Sequence, residues 1–449
     1  MGTRPRASRT TSQAILRWYS ALTMRPWRLA SAASIALAAA AGMAGCSTSN
    51  SSNSSVADGG GGDGGGTLYD SGVVPNDSAT GTDGTTSSDA ADAAAEGGTC
   101  HGDTSPLPCM PQSIFYQPLP ASPQVASNSS AIMAYYSANW ALDYAGTPFW
   151  DKGVYLQADP QGGDGNQAAV YFARTTDPLY TVKCFESWCA NGSAPIDGTM
   201  IHIPTGAQWQ GYPDCADGGA GMMTRGNCGD DHMVVISPDQ QTEYDFYESW
   251  GCLQNGSTCI IGSGAIVPAA STLGFATAAQ GNTNAAGRVL TQGLVQPSEI
   301  LAGVIPHALA LLLPYSDGTT IAPSTGDGIY ACPDVTNALA LGQRIFLAAT
   351  DAQIASWGSA GVTVPGQMVL AALAHYGGYY YDNLGYGGMD IETINASSFE
   401  PPGTISNGWP TIAAKYSLPA PDGNGYDLGL NNVPGGISTW LKACAKGGC

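Results

Sequence analysis

The sequence predicts a mainly β protein, a β-sandwich, barrel or jelly-roll-like domain with a few short helices. Three observations carry this: glycine and proline are frequent (60 and 29 residues), the apolar runs are short, and tyrosine and tryptophan are abundant (21 and 10). Candidate strands cover 169–173, 199–203, 232–236, 243–247, 308–313, 343–347 and 378–382. Between the fourth and fifth, Pro297 opens a one-turn helix, Gly303 stops it, and a strand begins at His307. Thr350 and Gln353 form a capping-box signature ahead of Ile354 and Trp357. In the next helix, Pro365 sits in the first turn, Val369, Ala372, Leu373 and Tyr376 recur at helical spacing, and Gly377 ends it. A helix and a strand in such close succession predict an element packed on one sheet face.

The N-terminal region carries different information. Arg25 and Arg28 precede an apolar stretch from Leu29 to Ala41, which ends in Met43-Ala44-Gly45-Cys46. That stretch is shorter than the ~20 residues a spanning helix needs. The pattern resembles a bacterial lipoprotein signal, with residues 1–45 as the targeting segment and translation starting at Met24. The resemblance implies removal of that segment and lipidation of Cys46, with several acyl chains giving stable membrane attachment. An uncleaved N-terminal anchor is the alternative, and either exports the remainder of the chain. Residues 46–98 are Ser, Gly, Asp, Asn, Thr and Ala with almost no large apolar side chain, which predicts a disordered, soluble linker. Residues 99–449 then form a single extracytoplasmic domain.

Six of the fifteen basic residues precede Cys46, whereas all thirty-five acidic ones lie beyond it. So acidic a surface disfavours nucleic acid and anionic headgroups as partners, and it names no cationic partner because acidic excess also keeps exported proteins soluble. Ten cysteines form sequence-local pairs: Cys100/Cys109, Cys184/Cys189, Cys215/Cys228, Cys252/Cys259 and Cys444/Cys449. In an oxidising compartment these spacings read as loop-closing disulfides, although sequence alone does not fix connectivity. No Cys-x-x-Cys zinc spacing occurs. Cys332 is left over, in a loop-like stretch that offers nothing to stabilise a thiolate.

The chemistry concentrates in one hairpin. Residues 232–236 lead into Ser237-Pro238-Asp239-Gln240-Gln241-Thr242 and return as Glu243-Tyr244-Asp245-Phe246-Tyr247. An even loop pairs Ser237 with Thr242, Val234 with Asp245 and His232 with Tyr247. Met233, Val235, Tyr244 and Phe246 then share an apolar face, while Asp230, His232, Glu243, Asp245 and Tyr247 share the other. A one-residue slip would turn Asp245 toward Met233, and the first register avoids that lone carboxylate among apolar neighbours. An imidazole facing carboxylates can act as general acid or base. The same set could bind a divalent metal, or be no more than a solvated polar face with a weak surface pair. His307, on a strand face with Leu309 and Leu311, reads as a buried, hydrogen-bonded histidine or as a further catalytic group. His202 and His375 have weaker claims.

Four segments in order, Gly229-Asp230-Asp231-His232-Met233-Val234-Val235-Ile236, Glu243-Tyr244-Asp245-Phe246, 297–309 and His375-Tyr376-Gly377, resemble a family of exported bacterial proteins of unassigned function. The resemblance covers roughly 195–382. Where those proteins carry Asp-Gly-His and Arg-Tyr-Gly, this chain has Asp231 for the glycine and His375 for the arginine. The match implies that Asp230 is the family acid, and it implies no activity. No Gly-x-Ser-x-Gly elbow, phosphate loop, His-Glu-x-x-His or dinucleotide fingerprint points to another class or names a cofactor.

These residues suit two functions. One is a surface-tethered enzyme acting on extracellular polysaccharide, hydrolase or lyase, with Asp230, His232, Glu243, Asp245 and His307 as catalytic candidates. Tyr135, Tyr136, Trp140, Trp150, Trp188 and Trp209 supply candidate sugar-stacking platforms, although most aromatics of a sandwich are core. The other is a non-catalytic module that binds glycan or an envelope partner.

Overall fold

The computed structural model of the chain describes residues 107–108, 110–139, 154–156, 169–186, 189, 194–210, 230–249, 251–326, 336–383, 389–394, 408–419 and 426–449. All belong to one compact unit, Ser51–Cys449. The targeting segment, Cys46, the linker, Cys100, Cys109, Cys215, Cys228, Cys332, Trp140, Trp150 and Trp188 lie outside the described residues.

In chain order the described elements begin with α1 (Ser129–Asn139), β1 (Val154–Leu156), β2 (Ala169–Phe172), β3 (Leu179–Cys184), β4 (Met200–His202), β5 (Met233–Ile236) and β6 (Thr242–Tyr247). Next come β7 (Gly251–Asn255), β8 (Thr258–Ile261), β9 (Ser263–Pro268), α2 (Pro297–Ala302), β10 (Leu309–Leu313), β11 (Ser316–Thr320), β12 (Leu339–Leu341) and β13 (Arg344–Leu347). The last are α3 (Asp351–Ser356), α4 (Val364–His375), β14 (Gly378–Asn383), β15 (Met389–Ile391), α5 (Trp409–Tyr416) and β16 (Leu441–Ala443). The protein is mainly β, with several sheets and a few short helices, and each of the seven predicted strands is present. The pairing is more varied than a stack of hairpins: among the described residues five of twelve ladders are parallel.

The largest sheet has the order β1-β15-β10-β14-β13-β16. Its central strand β10, Leu-Ala-Leu-Leu-Leu, is buried throughout, as a strand covered on both faces requires. Helix α4 packs on this sheet through Val369, Leu370, Ala372 and Leu373. Its ends match the predicted signals: Thr363 Oγ1 accepts from Gly366 N at 3.1 Å, and Gly377 comes next with φ 68°. A Cβ on Gly377 would stand 2.5 Å from the Ile345 carbonyl oxygen, so only glycine fits. The Thr350–Gln353 capping box forms at the start of α3.

Two four-stranded sheets, β2-β5-β6-β9 and β4-β3-β8-β7, share a second core that includes Tyr171, Val182, Ile196, Met233, Val235 and Phe246. Three of the predicted disulfides are present, Cys184–Cys189, Cys252–Cys259 and Cys444–Cys449. They fit an oxidising, extracytoplasmic compartment. No helix among the described residues is long and apolar enough to cross a membrane.

Candidate functional site

The β5–β6 hairpin takes the predicted register: Met233 pairs with Phe246, Val234 with Asp245, Val235 with Tyr244 and Ile236 with Glu243. Ser237 N donates to Thr242 O at 2.8 Å, and Asp239 braces the turn by accepting from Ser237 Oγ at 2.6 Å and Gln241 N at 3.1 Å. The ladder ends before His232, but the His232 and Tyr247 rings lie 5.7 Å apart, which keeps the expected juxtaposition.

The face carrying Glu243 and Asp245 is roofed by the segment 283–294, so it is buried polar surface and not a solvated one. Asp245 Oδ2 accepts from Leu290 N at 3.0 Å. Glu243 accepts from Thr291 N at 3.0 Å and from Thr291 Oγ1 at 2.5 Å. Burial raises both carboxyls above the ordinary carboxylate range, Asp245 the further because Glu243 adds repulsion. Val234, Ile236, Leu290 and Leu294 fill the space around them.

Arg288, fully buried, is the cation of this roof. It forms an ion pair with Glu392, donates to the Leu290 and Gln292 carbonyls at 2.7 Å each, and stacks on Tyr381 with 3.8 Å from Cζ to the ring centre. Burial, the largest single influence, would lower its pKa, but Glu392, Tyr381 and Asp245 together outweigh that and raise it. The side chain of Asn284 fixes the loop by accepting from Arg288 N at 2.8 Å and donating to Arg288 O at 2.6 Å.

Toward the surface this layer ends in a polar rim. His232, 5 % exposed, approaches the Thr283 carbonyl with Nε2 at 2.9 Å, so Nε2 carries a proton and donates. Asp230 and Asp382 are both partly exposed. Asp382 accepts from Ala285 N at 3.2 Å and Asn383 N at 2.7 Å. Its pKa is pushed up to about 7, first by its crowded surroundings and then by the charge of Asp230. Glu392, raised by burial and lowered in part by Arg288 and His232, connects the rim to the roof.

Comparison with protein-family models, curated proteins and solved structures finds no match to this chain.

Of the sequence candidates, Asp230 and His232 lie at the rim, Glu243 and Asp245 lie beneath the roof, and His307 stands apart. His307 is fully buried, with Nδ1 2.8 Å from Ala308 O and Nε2 3.0 and 3.2 Å from the Glu299 oxygens. Both nitrogens face acceptors, so both donate, and the ring is an imidazolium paired with Glu299. Burial alone would lower its pKa, and Glu299 more than reverses that. Tyr116, edge-on to His307 at 6.3 Å, lies within electrostatic reach of both Glu299 and Glu243. His202 Nδ1 donates to Asp177 O at 2.7 Å, and His375 makes an exposed pair with Asp351 at 2.7 Å.

Of the candidate stacking aromatics that are described, Tyr136 and Trp209 are core and Tyr135 is half-buried. Among the described residues, no group of three or more His, Cys, Asp or Glu side chains is placed to hold a metal ion. A cavity of about 390 Å³ lined in part by Asn128, Asp317, Gln343 and Lys446 shares no residue with the rim. Sequence reasoning missed Thr283, Arg288, Thr291, Tyr381, Asp382 and Glu392. A signal existed for two of them: Arg288 interrupts the apolar run 285–290 of a charge-poor domain, and Glu392 comes directly after the buried Met389-Asp390-Ile391.

Proposed function

We propose that this chain is an exported, lipid-anchored enzyme that cleaves extracellular polysaccharide by acid–base chemistry at the rim formed by Asp230, His232 and Asp382. One observation carries the reading: Asp382 is held on Ala285 N, two residues from the Thr283 carbonyl that receives the His232 imidazole, and the charge of Asp230 helps push its pKa up to about 7. A carboxyl group that keeps its proton near neutral pH, set beside a second carboxylate, is the arrangement glycosidic cleavage uses for acid and base. His232 Nε2–H is fixed on Thr283 O, which leaves Nδ1 as its proton acceptor for a hydrolase or lyase step. Glu243 and Asp245 take a supporting role here, because no substrate atom can reach a carboxyl beneath the roof, and His307 takes a structural one. The export half of the proposal draws on the disulfides and on the lipoprotein-like signal ending at Cys46.

A polysaccharide-degradation screen of the exported chain tests the activity. New reducing ends indicate hydrolysis, unsaturated uronate absorbance a lyase, and retention without turnover a binding module. His232→Ala and Asp382→Asn should each lower turnover by about 10² or more. Full turnover in either variant, with an unchanged circular dichroism spectrum, sinks the assignment of that residue. Anchoring is read separately: Cys46→Ser should abolish lipid labelling and release the protein from the membrane fraction, and undiminished retention would indicate an uncleaved anchor.

A further inference from the structure

Glu243 and Asp245 are two residues apart on β6, so their side chains leave the same face, and both are fully buried. Side chains two residues apart on one strand face are near enough for their carboxyls to meet, and each of these two carboxyls shifts the titration of the other. The donors around them are unevenly distributed. Glu243 accepts from the amide and hydroxyl of Thr291, and Asp245 Oδ2 accepts from the Leu290 amide, but Asp245 Oδ1 meets no protein donor. The charged or titratable groups facing the pair are Arg288, committed to Glu392 and two carbonyls, and Tyr116 on the Glu243 side. The paired strands contribute only Val234, Ile236, Ala265 and Val267. Two ionised carboxylates held this close and away from water would repel each other, and one buried oxygen would still lack a donor. A single proton between them removes both penalties.

We propose that Glu243 and Asp245 share one proton, carried on Asp245 Oδ1 and donated to Glu243, and that this acid pair clamps the segment 283–294 onto β6. The clamped segment supplies Thr283 O to His232 and Arg288 to Glu392, so Glu243 and Asp245 are positioning residues for the rim. That consequence rests on the function proposed above, whereas the shared proton does not.

The fold keeps a proton that an unfolded aspartate releases above about pH 4. Stability from the pair is therefore full below that ordinary range and falls as pH rises toward the raised folded value. Each such proton costs a tenfold loss in the folding constant per pH unit. Asp382 and Glu392 act in the same direction, so the test is a difference between variants. Asp245→Asn offers Glu243 a permanent N–H donor and should remove one proton's share of the slope, a tenfold-per-unit component, when denaturant unfolding is measured against pH. An unchanged slope overturns the proposal. A second reading in the wild-type chain guards against a variant that fails to fold. Infrared spectroscopy at mildly alkaline pH should show a protonated-carboxyl stretch that Asp245→Asn diminishes, and absence of that band in wild type overturns the proposal equally. Both measurements are made without substrate, so a failure here counts against the clamp and a failure of turnover counts against the rim.

Discussion

Met233, Val235 and Phe246 leave one face of the β5–β6 hairpin, Glu243 and Asp245 leave the other, and all five are fully buried. The apolar face is closed by Tyr171 of the same sheet, Ile261 of the neighbouring sheet and Ile196 of a turn, among others, and that attraction is non-directional. The acidic face needs particular donors at particular points, which it takes from Leu290 and Thr291, and a nearby positive charge, which it takes from Arg288. Equal burial is thus reached by two routes. The first tolerates exchange of one apolar group for another, and the second depends on a few atoms more than forty residues away in sequence, near the rim where chemistry is proposed.

The largest expected effects fall on the two faces in equal measure and separate with pH. Phe246→Ala leaves a cavity in a packed core and should cost about 3–5 kcal/mol. Arg288→Ala strands the Glu392 and Glu243 carboxylates without their cation and should cost about 3–5 kcal/mol as well. The first loss should be the same at every pH. The second should shrink in acid: without the guanidinium the folded carboxyls bind protons more tightly, so the variant loses stability faster than wild type as pH rises. Denaturant unfolding of both variants at several pH values reads this directly. Parallel pH profiles for the two would break the distinction between the faces.

The apolar route is the one legible in sequence. Period-two alternation over 232–236 and 243–247, with an even turn, was enough to fix the register, because a slip of one residue would have exchanged the faces. The caps of α3 and α4 were legible for a similar reason, since Thr350, Gln353, Pro365 and Gly377 act within a turn of where they stand. The roof stayed hidden. The same alternation that separates Glu243 and Asp245 from Met233 says nothing about what covers them, and a polar face reads as solvated until a distant segment is seen to close it. Asp382 ends a tyrosine-rich strand and Glu392 comes just after a short one, and only the parallel pairing of β10 with β14 and the neighbouring β15 bring them toward the hairpin. Strands β3, β8 and β9 escaped for a more local reason, because their mixed polar and apolar residues show no clean alternation.

The smallest effect tests the point where the acidic face ends. Asp231 adopts φ 48°, and across the hairpin Glu248 adopts φ 50°, both in the left-handed region that non-glycine residues rarely occupy. This pair of turns breaks the ladder: Glu248 N donates to Asp230 O at 2.9 Å, and Ser249 donates to Asp231 O from its amide at 3.1 Å and its hydroxyl at 2.6 Å. The kink carries His232 from the strand toward Thr283. Asp231→Gly should then change stability by no more than about 1 kcal/mol, relief of strain offsetting the greater freedom of the unfolded chain. Asp231→Val, β-branched in the same conformation, should cost about 1–3 kcal/mol. Thermal unfolding of the two variants separates the cases. If glycine destabilises as much as valine, the carboxylate of Asp231 holds the turn, and the acidic face extends one residue further toward the surface than its backbone geometry requires.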